Sequence, residues 1–313
     1  MNRQERLEVT GMRILFATDG SQPANLARDL LASIRWPAGS TIRIITAVES
    51  APVIIGAPWV PTGAIADVEA IEADLRARSE VVLAEAARGI HHAEWHVEAR
   101  LLRGRAASCI VEDAREFGAD LIVVGSRGHG GLLSMLLGSV ASEVVDHAPC
   151  PVLVARRPAL TRVVLAHDGS PYAMTAEGLL KSWPIFASVA VEVVSAAEQH
   201  GPWHVPTSLA LYPPDQPDYF APLRELLQHH RELAEAAADR LRQAGLRATP
   251  VVVEGDPAHA LLHAAEERQA DLILLGTHGR TGLARLMLGS VARNVLHHAH
   301  VSVLIARAAP ASQ

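Results

Sequence analysis

Two glycine-rich segments have the residue types and spacing of an anion-binding loop. Residues 125–139 read GSRGHGGLLSMLLGS and residues 276–290 read GTHGRTGLARLMLGS, so both contain the pattern G-x2-G-x9-G-S. Each lies between two apolar runs, which predicts a strand, a loop and a helix in that order. The backbone N–H groups of such a loop, together with a helix N-terminus, can bind a phosphate. Neither segment is a Walker loop or a G-x-G-x-x-G dinucleotide fingerprint.

Two aspartates follow the first predicted strand of each half of the chain. Asp19 and Asp168 both begin a D-G-S sequence. Ligands of open parallel sheets bind at the carboxyl ends of strands, where a carboxylate can accept hydrogen bonds from a ribose or an adenine amine. The alternative is that each aspartate caps the following helix. Because both copies come with a glycine loop, we favour contact with a ligand.

Two serines close the glycine loops at the predicted start of the next helix. We expect Ser139 and Ser290 to cap that helix, and their hydroxyls can also donate to a phosphate. The residue directly before the second glycine of each pattern is Arg127 in the first loop and His278 in the second.

The two loops differ further in charge. Arg280 and Arg285 lie in the second loop, where the first has His129 and Ser134. A loop arginine is usually a solvated surface residue, but beside a phosphate it can form paired hydrogen bonds. We expect the second loop to hold a phosphate more tightly than the first.

The sequence predicts neither a metal centre nor a catalytic nucleophile. Its 16 histidines include three clusters, but none has cysteine or carboxylate partners at ligand spacing. The clusters are His91-His92, His229-His230 and His297-His298-His300. The H-E-x-x-H and G-x-S-x-G motifs are absent.

Composition excludes several classes of protein. The net charge of −6 argues against a nucleic-acid-binding surface. Apolar residues make up 49% of the chain, enough for two cores, yet no apolar run reaches the length of a membrane span. Two cysteines, Cys109 and Cys150, are too few for a disulfide framework, so we expect a reducing cytoplasm. Lys181 is the only lysine, so arginine, backbone N–H groups or hydroxyls must meet any phosphate.

The order of the predicted strands and helices repeats along the chain. Gly125 and Gly276 are 151 residues apart, as are Gly138 and Gly289, which indicates an internal duplication. We predict two domains, residues 1–157 and 158–313, joined by a short linker at residues 156–161. Alternating strands and helices predict an α/β fold, with a doubly wound, Rossmann-like parallel sheet in each domain. We expect the halves to pack through their last strands, which would otherwise be sheet edges.

The chain resembles the universal stress protein family in its tandem, two-domain form. The matching features are D-G-S after the first strand, the two glycine loops, and a short last strand after A-P-C-P and after H-A-H. The resemblance implies an adenine nucleotide α-hydrolase-like fold with a five-stranded parallel sheet in each half. The first loop departs from the commoner G-R-[ST]-G-L-x-R form at His129 and Ser134.

The resemblance also implies ATP, with Mg²⁺, in each half. The predicted binding residues of the first half are Asp19, Val48, Gly125, Arg127, Gly128, Gly138, Ser139 and Val140. Those of the second half are Asp168, Ala197, Gly276, His278, Gly279, Arg280, Gly289, Ser290 and Val291.

Three functions fit these residues. The first is an ATP-binding stress-response regulator or sensor, acting through an unidentified protein partner and forming a homodimer. The second is an enzyme on the same fold, such as a slow ATPase. The third is a scaffold with vestigial sites, although intact glycines in both loops argue against it. Because no general base is evident, we favour the regulator, while fold similarity alone leaves the enzyme open.

Overall fold

A computed structural model describes residues 11–49, 64–90, 92–128, 137–198, 221–279 and 288–307. The first half alternates strands and helices. Its strands are β1 (Arg13–Ala17), β2 (Thr41–Val48), β3 (His96–Arg103), β4 (Leu121–Gly125) and β5 (Val152–Ala155). Its helices are α1 (Gln22–Ser33), α2 (Ala64–Gly89), α3 (Ala106–Phe117) and α4 (Ser139–His147).

The second half repeats this order. Its strands are β6 (Arg162–Ala166), β7 (Ala190–Ala197), β8 (Arg247–Glu254), β9 (Leu272–Gly276) and β10 (Ser302–Ala306). Its helices are α5 (Pro171–Ser182), α6 (Ala221–Gln243), α7 (Pro257–Glu267) and α8 (Ser290–His298), with a 3-10 turn at Pro184–Phe186.

All ten strands form one sheet in the order β3-β2-β1-β4-β5-β10-β9-β6-β7-β8. Within each half every strand pairing is parallel. The two halves join where β5 and β10 pair antiparallel, with Val154 opposite Val303 and Val152 opposite Ile305. This geometry confirms the predicted doubly wound fold, the five parallel strands per half and the pairing of the last strands.

The central strands are buried on both faces, as expected of parallel sheets covered by helices. In both β4 and β9, the first four residues are buried. One apolar core takes residues from α1, α2, α5 and α6, and the other takes residues from α3, α4, α7 and α8. Each core therefore runs through both halves.

The fourth helix of the first half begins later than the sequence pattern predicts. We expect it from residue 136, but Gly138 is extended and the helix starts at Ser139. The Gly138 N–H donates to the Ser126 carbonyl at 2.7 Å, so this residue belongs to the loop and not to the helix.

Candidate functional site

The D-G-S segments form the same turn in both halves. Asp19 Oδ1 accepts from the Ser21 N–H at 3.0 Å, and Asp168 Oδ1 accepts from the Ser170 N–H at 3.0 Å. The Ser21 and Ser170 hydroxyls then cap α1 and α5. The serines, and not the aspartates, are therefore the helix caps, which removes the alternative role considered for the aspartates.

The glycine loops end in a second repeated contact. The Gly289 N–H donates to the Thr277 carbonyl at 2.8 Å, matching the Gly138 bond of the first half. Gly138 and Gly289 are the N-cap residues of α4 and α8, so the prediction that Ser139 and Ser290 cap these helices is wrong. Both serines are the first helical residues and are exposed, which leaves their hydroxyls outside the capping position.

Each aspartate faces a loop glycine through its second oxygen. A methyl group at Gly128 would lie 2.5 Å from Asp19 Oδ2, and one at Gly279 would lie 3.0 Å from Asp168 Oδ2. Any larger residue at Gly128 must therefore displace the carboxylate. The structure brings the aspartate and the loop together in both halves, as the sequence predicts.

Gly125 and Gly276 are also constrained by packing, in addition to the role that the loop motif predicts for them. A methyl group at Gly125 would lie 2.8 Å from the Ala24 nitrogen in α1, and one at Gly276 would lie 2.6 Å from the Tyr172 carbonyl in α5. These glycines let the first turn of a helix pack against the end of a strand. They therefore fix the position of each helix start relative to the strand end that carries the glycine loop.

A cavity of about 750 Å³ opens at the C-terminal ends of β6, β7 and β9. Its wall includes seven of the predicted residues, namely Asp168, Gly276, His278, Gly279, Gly289, Ser290 and Val291. Ala197 is fully buried and is not part of this wall; its neighbours Ala196 and Glu198 are. Arg280 and Arg285 lie outside the described residues.

The remaining predicted residues of the first half lie at the matching places. The half-buried Val48 ends β2, and its carbonyl accepts from the Gly104 N–H at 3.0 Å. The Arg127 carbonyl accepts from the Ser21 hydroxyl at 3.3 Å, which ties the glycine loop to the D-G-S turn. Val140 is exposed in the first turn of α4. His129 and Ser134 lie outside the described residues.

The second half adds a buried histidine that sequence reasoning missed as a site residue. His230 in α6 lines the cavity and is 5% exposed. Its Nδ1 lies 2.8 Å from the Ser195 hydroxyl in β7, which fixes the imidazole against the sheet. Because Ser195 is fully buried, it is placed to orient the ring and not to attack a substrate. In the sequence, His230 appears only as part of the pair His229-His230. Its position on a predicted helix is the one feature that could have indicated a place near the site.

Behind the D-G-S turn of the second half lies a buried ion cluster. Glu177 is fully buried and accepts from Arg240 at 2.7 and 2.9 Å and from Lys181 at 3.0 Å. His167, which also lines the cavity, places Nε2 3.3 Å from Glu177 Oε2. Burial acts to raise the pKa of Glu177, but His167, Arg240 and Lys181 outweigh it and hold that pKa well below its usual range.

The described residues contain neither a metal-binding cluster nor a membrane-spanning helix. No group of three or more His, Cys, Asp or Glu side chains in this part of the chain is placed to hold a metal ion. No helix among the described residues is long and apolar enough to cross a membrane.

The fold and the duplicated loops define a tandem, doubly wound α/β protein. The model of the universal stress protein family matches residues 12–156 and again residues 160–307. The chain therefore belongs to the universal stress protein family. A universal stress protein of Mycobacterium tuberculosis (strain ATCC 25618 / H37Rv) is 31% identical over 223 residues, covering 67% of this chain and 69% of that relative.

Two further proteins match about one half of the chain and nearly all of it, respectively. A universal stress protein of Thermus aquaticus is 37% identical over 145 residues, covering 46% of this chain and 97% of that relative. The crystal structure of a universal stress protein from Archaeoglobus fulgidus DSM 4304 superposes with a TM-score of 0.65 at 18% identity, covering 94% of this chain and 98% of that chain. At this identity the similarity supports the fold.

Proposed function

We propose that each half binds one adenine nucleotide, ATP with Mg²⁺, and that the bound nucleotide regulates the protein. The observation that carries this proposal is the repeated cradle: a helix N-terminus, a glycine loop and an aspartate meet at the C-terminal edge of each half-sheet. In the second half these groups line a cavity of about 750 Å³, within the range of about 300–1,000 Å³ typical of ligand pockets.

The phosphates belong at the helix end of the cavity. The first N–H groups of α8 have no partner within the helix and lie at its positive dipole end, which favours an anion. Ser290 stands at this end with an exposed hydroxyl. Because Ser290 does not cap the helix, its hydroxyl can donate to a phosphate without a loss of helix stability.

The nucleoside belongs at the carboxylate end. Asp168 and Glu198 supply acceptors for ribose hydroxyls or an exocyclic amine, and Val194 and Leu261 supply apolar surface for a base. The carboxylates of this wall do not form a metal cluster. Mg²⁺ therefore enters with the phosphates, which is its usual mode of binding to nucleotide proteins.

The expected homodimer and the protein partner remain part of the proposal. Since β5 and β10 pair with each other within the chain, a second chain must use a surface other than these strands.

Calorimetric titration with ATP and Mg²⁺ tests nucleotide binding. We expect up to two nucleotides per chain. Gly128→Val displaces Asp19 and removes the first site, and Gly279→Val acts on Asp168 and removes the second. Gly178→Val is the matched control, because a methyl group there meets no atom within 4 Å. Absence of binding in the unmodified protein would refute the proposal.

Phosphate release distinguishes a regulator from an enzyme. We expect release far below the median enzyme turnover of about 10 s⁻¹. Turnover at that rate, abolished in Asp19→Ala or Asp168→Ala, would establish the enzyme instead.

A further inference from the structure

Two arginines cross between the halves to reach helix ends. Arg156, directly after β5, donates from Nη2 to the Leu296 carbonyl at 2.6 Å and from Nη1 to the Val301 carbonyl at 3.4 Å. Arg307, directly after β10, donates from Nη2 to the Asp146 carbonyl at 2.9 Å and to the Val145 carbonyl. The two arginines are 151 residues apart, the interval of the duplication.

The antiparallel pairing of β5 with β10 brings these groups together. Pairing of Val154 with Val303 places the end of β5 beside the start of β10. Helix α8 ends at His298, just before β10, so the residue after β5 meets the C-terminus of α8. The reciprocal argument places Arg307 at the C-terminus of α4. A third contact, from Arg293 Nη2 to Asp146 Oδ1 at 3.5 Å, links the two helices directly.

These two helices are the ones whose N-termini form the proposed phosphate cradles. We propose that each nucleotide site is positioned from the opposite half: Arg156 fixes the cradle helix of the second site, and Arg307 fixes that of the first. This inference rests on the proposed nucleotide binding.

The physical basis is the pairing of a cation with the carbonyl end of a short helix. The last carbonyls of a helix lack intrahelical partners, and a cation beside them is favourable and limits fraying. Each cradle helix has only nine residues, so the cap lies about two turns from the phosphate end. Burial, as the main cause, and repulsion from the neighbouring Arg127, as the second, lower the pKa of Arg156 to about 10. The guanidinium therefore stays charged at neutral pH.

Neutral variants of the two arginines give a crossed prediction. We expect Arg156→Met to weaken ATP binding about five-fold in the Gly128→Val background, which keeps only the second site. The same change also removes a cation beside Arg127 of the first loop, so the first site, measured in Gly279→Val, should change less than the second, by about two-fold. Arg307→Met should give the reverse pattern. Arg157→Met, a change at an exposed neighbour of Arg156, is the control and should leave both sites within two-fold.

A readout without ligand separates this inference from nucleotide binding itself. Hydrogen exchange of the hydrogen-bonded amides of α8, which begin with the Arg293 N–H, should accelerate in Arg156→Met and not in Arg307→Met. The hydrogen-bonded amides of α4, which begin with the Ser142 N–H, should show the opposite. If either variant weakens both sites equally, or accelerates exchange in both helices alike, the arginines only stabilise the contact between the halves and the proposal is wrong. Absence of ATP binding in the parent protein would instead refute the proposed function.

Discussion

The two halves share their backbone contacts but bury different charges. Both have the aspartate turn and the bond that closes the glycine loop. In the second half the buried carboxylate is Glu177, held by Arg240 and Lys181 beneath α5 and α6. In the first half, the position that matches Glu177 holds Arg28, and the position that matches Arg240 holds Gly89. The Arg28 side chain packs against Gly89.

The first half buries a carboxylate paired with two arginines on the other face of the sheet. Asp113 in α3 is 3% exposed and pairs with Arg43 at 3.3 Å and with Arg100. The matching residue in the second half is Ala264, which is also buried. Backbone geometry at the site has therefore been retained in both copies, while each copy has its own way of neutralising a buried charge.

The largest expected effect is on stability. Glu177→Gln leaves two cations without their carboxylate and should lower the free energy of unfolding by about 2 kcal/mol at pH 7. This is less than the 3–5 kcal/mol usual for breaking a buried pair, because Arg240 and Lys181 reach solvent. Urea denaturation measures the change. Asp113→Asn should give a similar loss through the first half.

The effect of Glu177→Gln on the free energy of unfolding should depend on pH. Because the pKa of Glu177 lies below its usual 4.5, the stabilisation is complete above that pH and is lost as the pH falls further. The difference between the unmodified protein and Glu177→Gln should therefore shrink below about pH 4.5. Arg28→Ala is the control; its pairing with Asp29 is a surface contact worth less than about 1 kcal/mol. A constant difference down to pH 2 would contradict this account.

The second prediction concerns affinity. We expect the second site to bind ATP about ten-fold tighter, because Arg280 and Arg285 stand in the loop where the first has His129 and Ser134. Titration of Gly128→Val against Gly279→Val measures each site alone. The difference should narrow with added salt and with AMP in place of ATP. Equal affinities would mean that backbone N–H groups suffice.

The smallest expected effect concerns His230, which lines the cavity of the second half. Ser195→Ala removes the hydroxyl that orients His230 and should weaken the second site about three-fold. Thr46→Val changes the matching residue of the first half, whose hydroxyl donates to the Thr18 carbonyl, and should leave the second site unchanged. If Ser195→Ala also leaves it unchanged, His230 does not contact the nucleotide.

The sequence could predict the parts of the site that repeat. Alternating strands and helices predict the parallel sheets, the unpaired edges of the last strands predict the pairing of β5 with β10, and the interval seen twice predicts the meeting of Asp19 with the glycine loop. The capping role of Ser139 could not be read correctly, because serine and glycine are both acceptable caps and adjacent in the sequence. Only the extended backbone of Gly138 decides between them.

The features that do not repeat were hidden from sequence reasoning. Glu177 and Arg240 are 63 residues apart and meet only because α5 packs beside α6. Ser195 and His230 lie on different elements, and neither residue type indicates burial by itself. Such pairs have no counterpart at the matching positions of the first half, so the duplication gave no second instance by which to recognise them.

The antiparallel joint also sets how this interface can evolve and how it responds to dilution. If the halves were separate identical chains, their association would weaken as the protein is diluted, and every substitution at the joint would occur on both sides at once. Within one chain the contact is intramolecular and independent of protein concentration. One side can therefore change alone: Ser302 accepts from the Arg156 and Arg157 N–H groups at 3.0 and 3.1 Å, while the matching position of the first half holds Pro151.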